Sequence, residues 1–269
     1  MARVAVVQMV STTHVEANLQ ALPLLFSKAE QGGAKLIVLP ENFAFMGQKE
    51  TDKLKVAEHH GHGMIQDTIR QLATRYGLWV IAGTIPLKSK RDRVNASCLV
   101  YDDQGVEVGR YDKIHLFDAR VSEHEAHQES LTIERGDRLV VVDTPVGRVG
   151  LSVCYDLRFP ELYRQLVLKG AELFSVPAAF TAVTGMAHWD VLLRARAIEN
   201  LCYVLAPNQG GVHENGRSTH GHSMIVEPWG HVLCRHETGA GVIVADIDLK
   251  RLQQLRQQFP CNEHHVLNG

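Results

Sequence analysis

The first forty residues commit the chain to a parallel sheet. Arg3–Met9 is a β-branched apolar run of strand length, and Lys35–Leu39 is another. Between them Leu19, Leu22, Leu25, Phe26 and Ala29 recur at helical spacing, and Gly32-Gly33 supplies the stop. Thr13-His-Val-Glu16 has the form of a capping box with Thr13 as N-cap. Strand, helix and strand in that order predict two adjacent parallel strands joined by a right-handed crossover. The second strand runs straight into Pro40-Glu41-Asn42, at the carboxyl end where open α/β sheets collect their chemistry.

Both periodicities continue. Met64–Tyr76 reads as an amphipathic helix closed by Gly77, followed by strands over Leu78–Thr84 and Val94–Tyr101. Asp102-Asp-Gln-Gly105 turns the chain into a strand over Val106–Tyr111. Lys113 lies just beyond it, and alternation sets Lys113 and His115 on one side, Ile114 and Leu116 on the other. Residues 119–137 read as irregular and charged. Arg138–Thr144 and Arg148–Val153 make a hairpin, Glu161–Lys169 a helix stopped by Gly170, and Leu173–Val176 a strand. A helix is expected over Ala187–Leu201 with Leu192, Leu193, Ala197 and Ile198 on its apolar stripe, then a strand over Tyr203–Ala206. After a loop over 208–222, strands are expected at Met224–Val226, Val232–Arg235 and Val242–Asp246, and a short helix at Lys250–Gln258. No linker interrupts the pattern, so residues 1–269 read as one domain, a layered α/β sandwich with helices covering the outer sheet faces. Hairpin-joined strands argue against a (β/α)8 barrel.

A net charge of −2 gives no electrostatic case for nucleic acid or an anionic membrane. No stretch approaches the ~20 apolar residues of a bilayer span, and the N-terminal run is too short for a signal segment. The five cysteines are odd in number and unpaired in spacing, which favours a reducing compartment, and a cytoplasmic protein is expected. His59, His60 and His62 crowd a glycine-bearing loop without a converging ligand set, and His124-Glu-Ala-His127 lacks the spacing of a zinc helix. No metal is expected. The loop over 208–222 matches no nucleotide-binding pattern.

Cys154 stands where the apolar run Val149–Val153 gives out and a helix is about to begin at Pro160-Glu161. Backbone N–H groups at such a junction favour thiolate over thiol. Taken singly, Cys154 could be a core thiol, Lys113 a sheet-edge charge and Glu41 a helix-start residue. Together they supply what thiol-dependent hydrolysis of an amide or nitrile requires: a nucleophile, a carboxylate to move its proton, and an ammonium for the oxyanion. No GxSxG elbow supports serine chemistry instead.

These residues resemble the nitrilase or carbon–nitrogen hydrolase superfamily. Its Glu–Lys–Cys triad is matched by Leu39-Pro40-Glu41, by Tyr111-Asp-Lys113-Ile-His-Leu and by Cys154-Tyr-Asp-Leu-Arg-Phe-Pro-Glu161. The likeness runs from Val4 to about Pro260. It implies a four-layer α-β-β-α sandwich, protomers that pair into a homodimer, and no metal or organic cofactor. It also implies that Glu129 positions substrate and supports the triad, and that the Tyr155 N–H completes the oxyanion hole with Lys113. The segments Phe180–Glu199 and Gly221–Gly230 are most similar to the Nit branch and its deaminated-glutathione amidases, which puts Phe180 among the substrate-positioning residues. The implied reaction releases cysteinylglycine and α-ketoglutarate, so the substrate is a small amide bearing carboxylates. The alternatives are an ω-amidase acting on α-ketoglutaramate, a broad aliphatic amidase or nitrilase, or an idle scaffold. Arg158 could grip a substrate carboxylate or pair structurally with Asp156 or Glu161. Residues 117–127, the loop implied to contact substrate, match neither subfamily closely.

Overall fold

The structure, a computed structural model, describes residues 1–121, 123, 125–264 and 266. The chain begins β1 (Ala2–Gln8), α1 (Val15–Gln31), β2 (Ala34–Val38), α2 (Met64–Tyr76), β3 (Trp79–Lys88), β4 (Val94–Tyr101) and β5 (Glu107–Asp112). A short pair, β6 (Asp118–Arg120) and β7 (Ala126–Gln128), leads to β8 (Val141–Thr144), β9 (Gly147–Leu151), α3 (Pro160–Leu168) and β10 (Leu173–Ser175). Then come α4 (Ala182–Asn200), β11 (Tyr203–Ala206), β12 (Gly210–Val212), β13 (Ser218–His220) and β14 (Ser223–Val226). The last elements are β15 (Val232–His236), β16 (Gly241–Ile247) and α5 (Leu249–Gln258).

Two six-stranded sheets face each other, ordered β16-β1-β2-β3-β4-β5 and β15-β14-β11-β10-β9-β8. Strands β1, β2 and β3 run parallel, as expected from the opening strand–helix–strand, and so do β9, β10 and β11. Antiparallel strands flank both sets. Alternation sorts the first sheet between two cores. Val4, Val6, Leu36 and Val38 meet Val149, Leu151 and Phe174 of the second sheet, while Ala5, Val7, Ile37 and Val80 meet Leu22 and Phe26 of α1 and Ile69 of α2. Apolar residues on both faces explain why these strands read as unbroken apolar runs. Helices α3 and α4 cover the second sheet through Leu162, Leu166, Trp189 and Leu193, completing the α-β-β-α sandwich.

Several local expectations are corrected. Thr13 caps nothing. Its N–H and hydroxyl both donate to Glu214 Oε2, at 3.0 and 2.8 Å, and α1 starts at Val15 with no side-chain cap. Residues 118–128 are not irregular but hold the hairpin β6–β7, and the 208–222 loop holds the hairpin β12–β13. Ser122 and His124, within the loop flagged above, lie outside the described residues. Helix α4 begins at Ala182, earlier than expected, because Thr181 Oγ1 accepts from the Thr184 N–H and initiates it. Of the stripe expected on α4, Leu193 and Ala197 are buried, but Ile198 is 46% exposed. The buried line runs instead through Gly185, Trp189, Leu193 and Arg196, leaving Val183, Met186 and Val191 outside.

Candidate active site

Glu41, Lys113 and Cys154 each follow the end of a strand (β2, β5 and β9), and the fold brings those ends together. Beyond β2 the Leu39 N–H still donates to Ile81 O, at 2.9 Å, before Pro40 ends the ladder. Asn42 then takes a left-handed conformation, φ 57°, with its N–H on Thr84 Oγ1 at 3.0 Å, while Gln209 Nε2 donates to Glu41 O at 3.0 Å. These bonds hold the Glu41 backbone on both sides. Its carboxylate, buried, accepts from Lys113 Nζ at 2.9 Å on Oε1 and from the Ala179 N–H at 3.0 Å on Oε2.

Lys113 extends the β4–β5 pairing, its N–H on Ala96 O at 3.0 Å, and its side chain is wholly buried. It is therefore no solvated edge charge. Besides Glu41, its ammonium donates to both oxygens of Glu129, at 3.0 and 2.8 Å. Glu129 Oε2 also accepts the Phe117 N–H at 2.8 Å, which anchors it where β7 ends in a short helical turn.

Cys154 opens a single 3-10 turn, Cys154–Arg158, with φ 45°, a conformation non-glycine residues adopt at a cost of order 1–3 kcal/mol. The turn is held by Asp156, which the sequence did not mark for any role in the site. The buried Asp156 carboxylate accepts from Tyr111 Oη (2.7 Å), the Val153 N–H (2.8 Å) and the His115 N–H (3.0 Å), and lies 2.7 Å from His115 Nδ1. It thus ties the segment carrying Lys113 to the turn carrying Cys154. The one available signal was the alternation that put His115 beside Lys113. Asp156 is not the partner of Arg158, nor is Glu161 within ion-pair reach. Arg158 instead places Nη1 3.2 Å from His188 Nδ1 and its guanidinium over the Tyr155 and Phe180 rings. Tyr155 itself packs against Phe117 and Phe159, and Phe180 against Trp189.

The thiol is not electrostatically prepared as a thiolate. Burial, and then the Glu41 charge, push Cys154 well above the usual thiol range, against the pull of Lys113 and the Ala179 N–H. The Cys154 N–H is spent on Pro177 O at 2.9 Å, and α3 begins only at Pro160, so the expected thiolate-favouring junction is not formed. Lys113 pays for burial, but the Glu129 and Glu41 carboxylates outweigh that and hold it above the usual lysine range. Glu129 is likewise disfavoured by burial yet kept low by Lys113 and Lys53. Among the described residues no three His, Cys, Asp or Glu side chains converge as metal ligands.

A cavity of about 610 Å³ lies near this cluster, with Asn42, Lys53, Thr84 and Arg217 on its wall together with the carboxylates Glu50 and Glu125, while Glu41, Lys113, Glu129 and Cys154 are not on that wall. It adjoins the triad through Asn42, next in the chain to Glu41, and through Arg217, whose Nη2 donates to Ala179 O at 2.8 Å. Lys53 sits in a short 3-10 turn, Glu50–Leu54, and Arg217 in the loop between β12 and β13, and nothing in their local sequence marks them.

Two facing sheets between helix layers, with a carboxylate, an ammonium and a thiol converging from three strand ends, have the layout of a nitrilase-type hydrolase. The carbon-nitrogen hydrolase family model matches residues 3–257, and the chain belongs to that family. It is thus a hydrolase of carbon–nitrogen bonds other than peptide bonds. A protein of Yersinia enterocolitica named deaminated glutathione amidase is 42% identical over 98% of this chain and 93% of its own length. One of Synechocystis sp. with the same name is 42% identical over 97% of each. The crystal structure of the C. elegans NitFhit protein superposes with a TM-score of 0.92 at 38% identity, covering 98% of this chain and 66% of that one.

Proposed function

We propose that the protein is an amidase that hydrolyses deaminated glutathione through a thioester on Cys154. The observation that carries this reading is the Lys113 ammonium held at 2.9 Å from Glu41 and 2.8 Å from Glu129 beside the buried thiol. The names borne by its relatives supply the substrate.

Because the resting sulfur is protonated, attack and deprotonation are coupled. Glu41 takes the thiol proton as sulfur bonds to the amide carbon, and the carbonyl pair moves onto oxygen. Lys113 and the Tyr155 N–H stabilise that oxyanion. The C–N bond then breaks as Glu41 returns the proton to the leaving nitrogen, freeing cysteinylglycine and leaving the acyl thioester. Water enters, gives its proton to Glu41 and attacks the thioester. Collapse expels the sulfur, which recovers the proton, and releases α-ketoglutarate. Glu129 keeps Lys113 aimed, and Phe180 and Arg158 flank the site.

The protein is read as a single domain working in the cytoplasm as a homodimer. Five free cysteines support the compartment, and no described helix is long and apolar enough to cross a membrane. The exposed Val183, Met186 and Val191 on α4 support pairing of two copies. Purified protein should release cysteinylglycine from deaminated glutathione with higher kcat/KM than it releases ammonia from α-ketoglutaramate. The reverse order would make it an ω-amidase, and wild-type activity in C154A would end the mechanism.

A further inference from the structure

The segments that leave β1, β2 and β10 meet at one buried amide, that of Gln209. Its Oε1 accepts the Ser11 N–H at 3.0 Å, and its Nε2 donates to Ser11 Oγ at 2.8 Å and to Glu41 O at 3.0 Å. The Ser11 hydroxyl gives its own hydrogen to Phe43 O at 2.9 Å. It must therefore accept from Gln209, which fixes the orientation of the amide. Both Nε2 hydrogens have partners, and one of them holds the main chain of Glu41.

The backbone of Gln209 holds the other end of the same residue. Its N–H donates to Ala178 O at 3.0 Å. That oxygen shares a planar peptide with the Ala179 N–H, which donates to Glu41 Oε2 at 3.0 Å. The next rung of this parallel ladder would run from the Phe180 N–H to Gln209 O. Gln209 O accepts the Gly221 N–H instead, at 2.9 Å. Asn208, also wholly buried, fills the gap: its Oδ1 accepts the Phe180 N–H at 2.9 Å and its Nδ2 donates to Gly221 O at 2.7 Å. The peptides on both sides of Ala179 are thus fixed by the pair Asn208-Gln209, and neither can rotate without stranding a buried polar group.

We propose that Gln209 is a positioning residue for the hydrolysis, holding Glu41 at its main chain and, through Ala179, at its carboxylate. The proposal rests on the amidase reading above. Asn208 supports it by closing the ladder that carries Ala179. Gln209 acts on the group that moves the proton and not on bound substrate, so its loss falls on kcat rather than on KM.

The test is steady-state hydrolysis of deaminated glutathione by two variants. Q209M keeps the length of the side chain and removes its three hydrogen bonds. Its kcat should fall roughly 10²-fold, the cost of about 1 Å of misplacement, with KM within about threefold of wild type. Q209E is the conservative variant. While burial keeps its carboxyl protonated, the O–H can still donate to Glu41 O, whereas the ionised form turns a charged oxygen onto that carbonyl. The ratio of its kcat to that of wild type should therefore fall at least about tenfold between roughly pH 6 and pH 9. Glu41 itself and His213, whose Nδ1 lies 2.9 Å from Ser11 O, are titratable groups facing this amide. Both proteins carry them, so the ratio isolates the new carboxyl. Wild-type kcat in folded Q209M, a loss carried by KM, or a Q209E ratio that is flat with pH overturns the assignment while leaving the amidase reading intact. If Q209M does not fold, the Q209E ratio decides. Wild-type protein that cleaves no amide overturns both.

Discussion

Glu129 grips Lys113 with both carboxylate oxygens, at 3.0 and 2.8 Å, while Glu41 reaches the same ammonium with one. The buried cluster therefore holds two carboxylates against one cation. That surplus negative charge raises the Cys154 thiol, and Glu129 contributes to it. Replacing Glu129 with Gln should consequently do two opposite things. The thiol titrates lower, so iodoacetamide inactivation at fixed alkaline pH becomes faster, while kcat falls about 10²-fold because Lys113 loses its aim. A variant in which alkylation and turnover slow together would show that Glu129 acts only through folding.

If the acyl group passes through sulfur, a nucleophile stronger than water should intercept it. Wild-type enzyme turning over its amide with hydroxylamine present should yield the hydroxamate in proportion to the hydroxylamine added. C154A should yield none, with turnover down at least about 10⁴-fold and an unchanged unfolding midpoint. Hydroxamate formation in C154A would rule out the thioester.

Asp156 is a positioning residue. D156A strands the Tyr111 hydroxyl and two N–H groups in the core, and should cost about 2–4 kcal/mol in urea unfolding together with most of kcat. Y111F removes one of these bonds and should cost about 1 kcal/mol with a smaller loss of kcat. Equal kcat in D156A and wild type would show that the Cys154 turn keeps its shape unaided.

The split between what the residues disclosed and what they concealed follows range of interaction. Glu41, Lys113 and Cys154 were legible because each stands within three residues of a strand end, and strand ends are set by local pattern. The opening parallel unit was legible for the same reason. Thr13 and Glu16 had correct capping spacing, yet a carboxylate 201 residues away, Glu214, outcompetes the helix for Thr13. Asp156 was read only as a structural partner for Arg158, because its true partners Tyr111 and His115 come from β5 of the other sheet and the segment after it. The outward apolar residues of α4 blurred its periodicity, so Ile198 was counted with Leu193 and Ala197 on its buried face. The protonation of Cys154 depends on the Glu41 charge and on burial, neither of which spacing encodes.

His220 is held down to about 4 by burial and by the neighbouring charges of His222 and Arg235. Its unfolded counterpart titrates near the ordinary 6.5. A depressed native value means the unfolded chain binds the proton first, so this contribution to stability is present above pH 6.5 and is lost as pH falls toward about 4. His213, buried between Ser11 O and Thr219 Oγ1, is also lowered by burial and acts in the same direction. The melting temperature should therefore decline as pH drops through this window, and H220N should flatten the decline. An identical slope in H220N would assign it to other groups.

Gly83 is where the site can be broken without touching a reactive group. The β3–β4 pairing shifts register between Ala82 and Ile85, and there the strand passes so close to Leu39 and Pro40 that a Cβ on Gly83 would overlap the Pro40 carbonyl and lie 2.7 Å from Leu39 O. Both neighbours are backbone and cannot swing aside. Gly83→Ala must push the Pro40-Glu41 segment off β3, or bend β3 and withdraw Thr84 Oγ1 from the Asn42 N–H. Either movement shifts Glu41 relative to Lys113, and 1 Å of misplacement costs about 10² in rate. Overpacking of this kind also costs about 1–3 kcal/mol. T84V is the control, losing only one hydrogen bond, worth about 1 kcal/mol, with a milder loss of kcat. G83A should thus lose far more kcat than KM while staying folded by circular dichroism. Wild-type kcat in that variant would mean that Glu41 does not depend on this close passage of backbones.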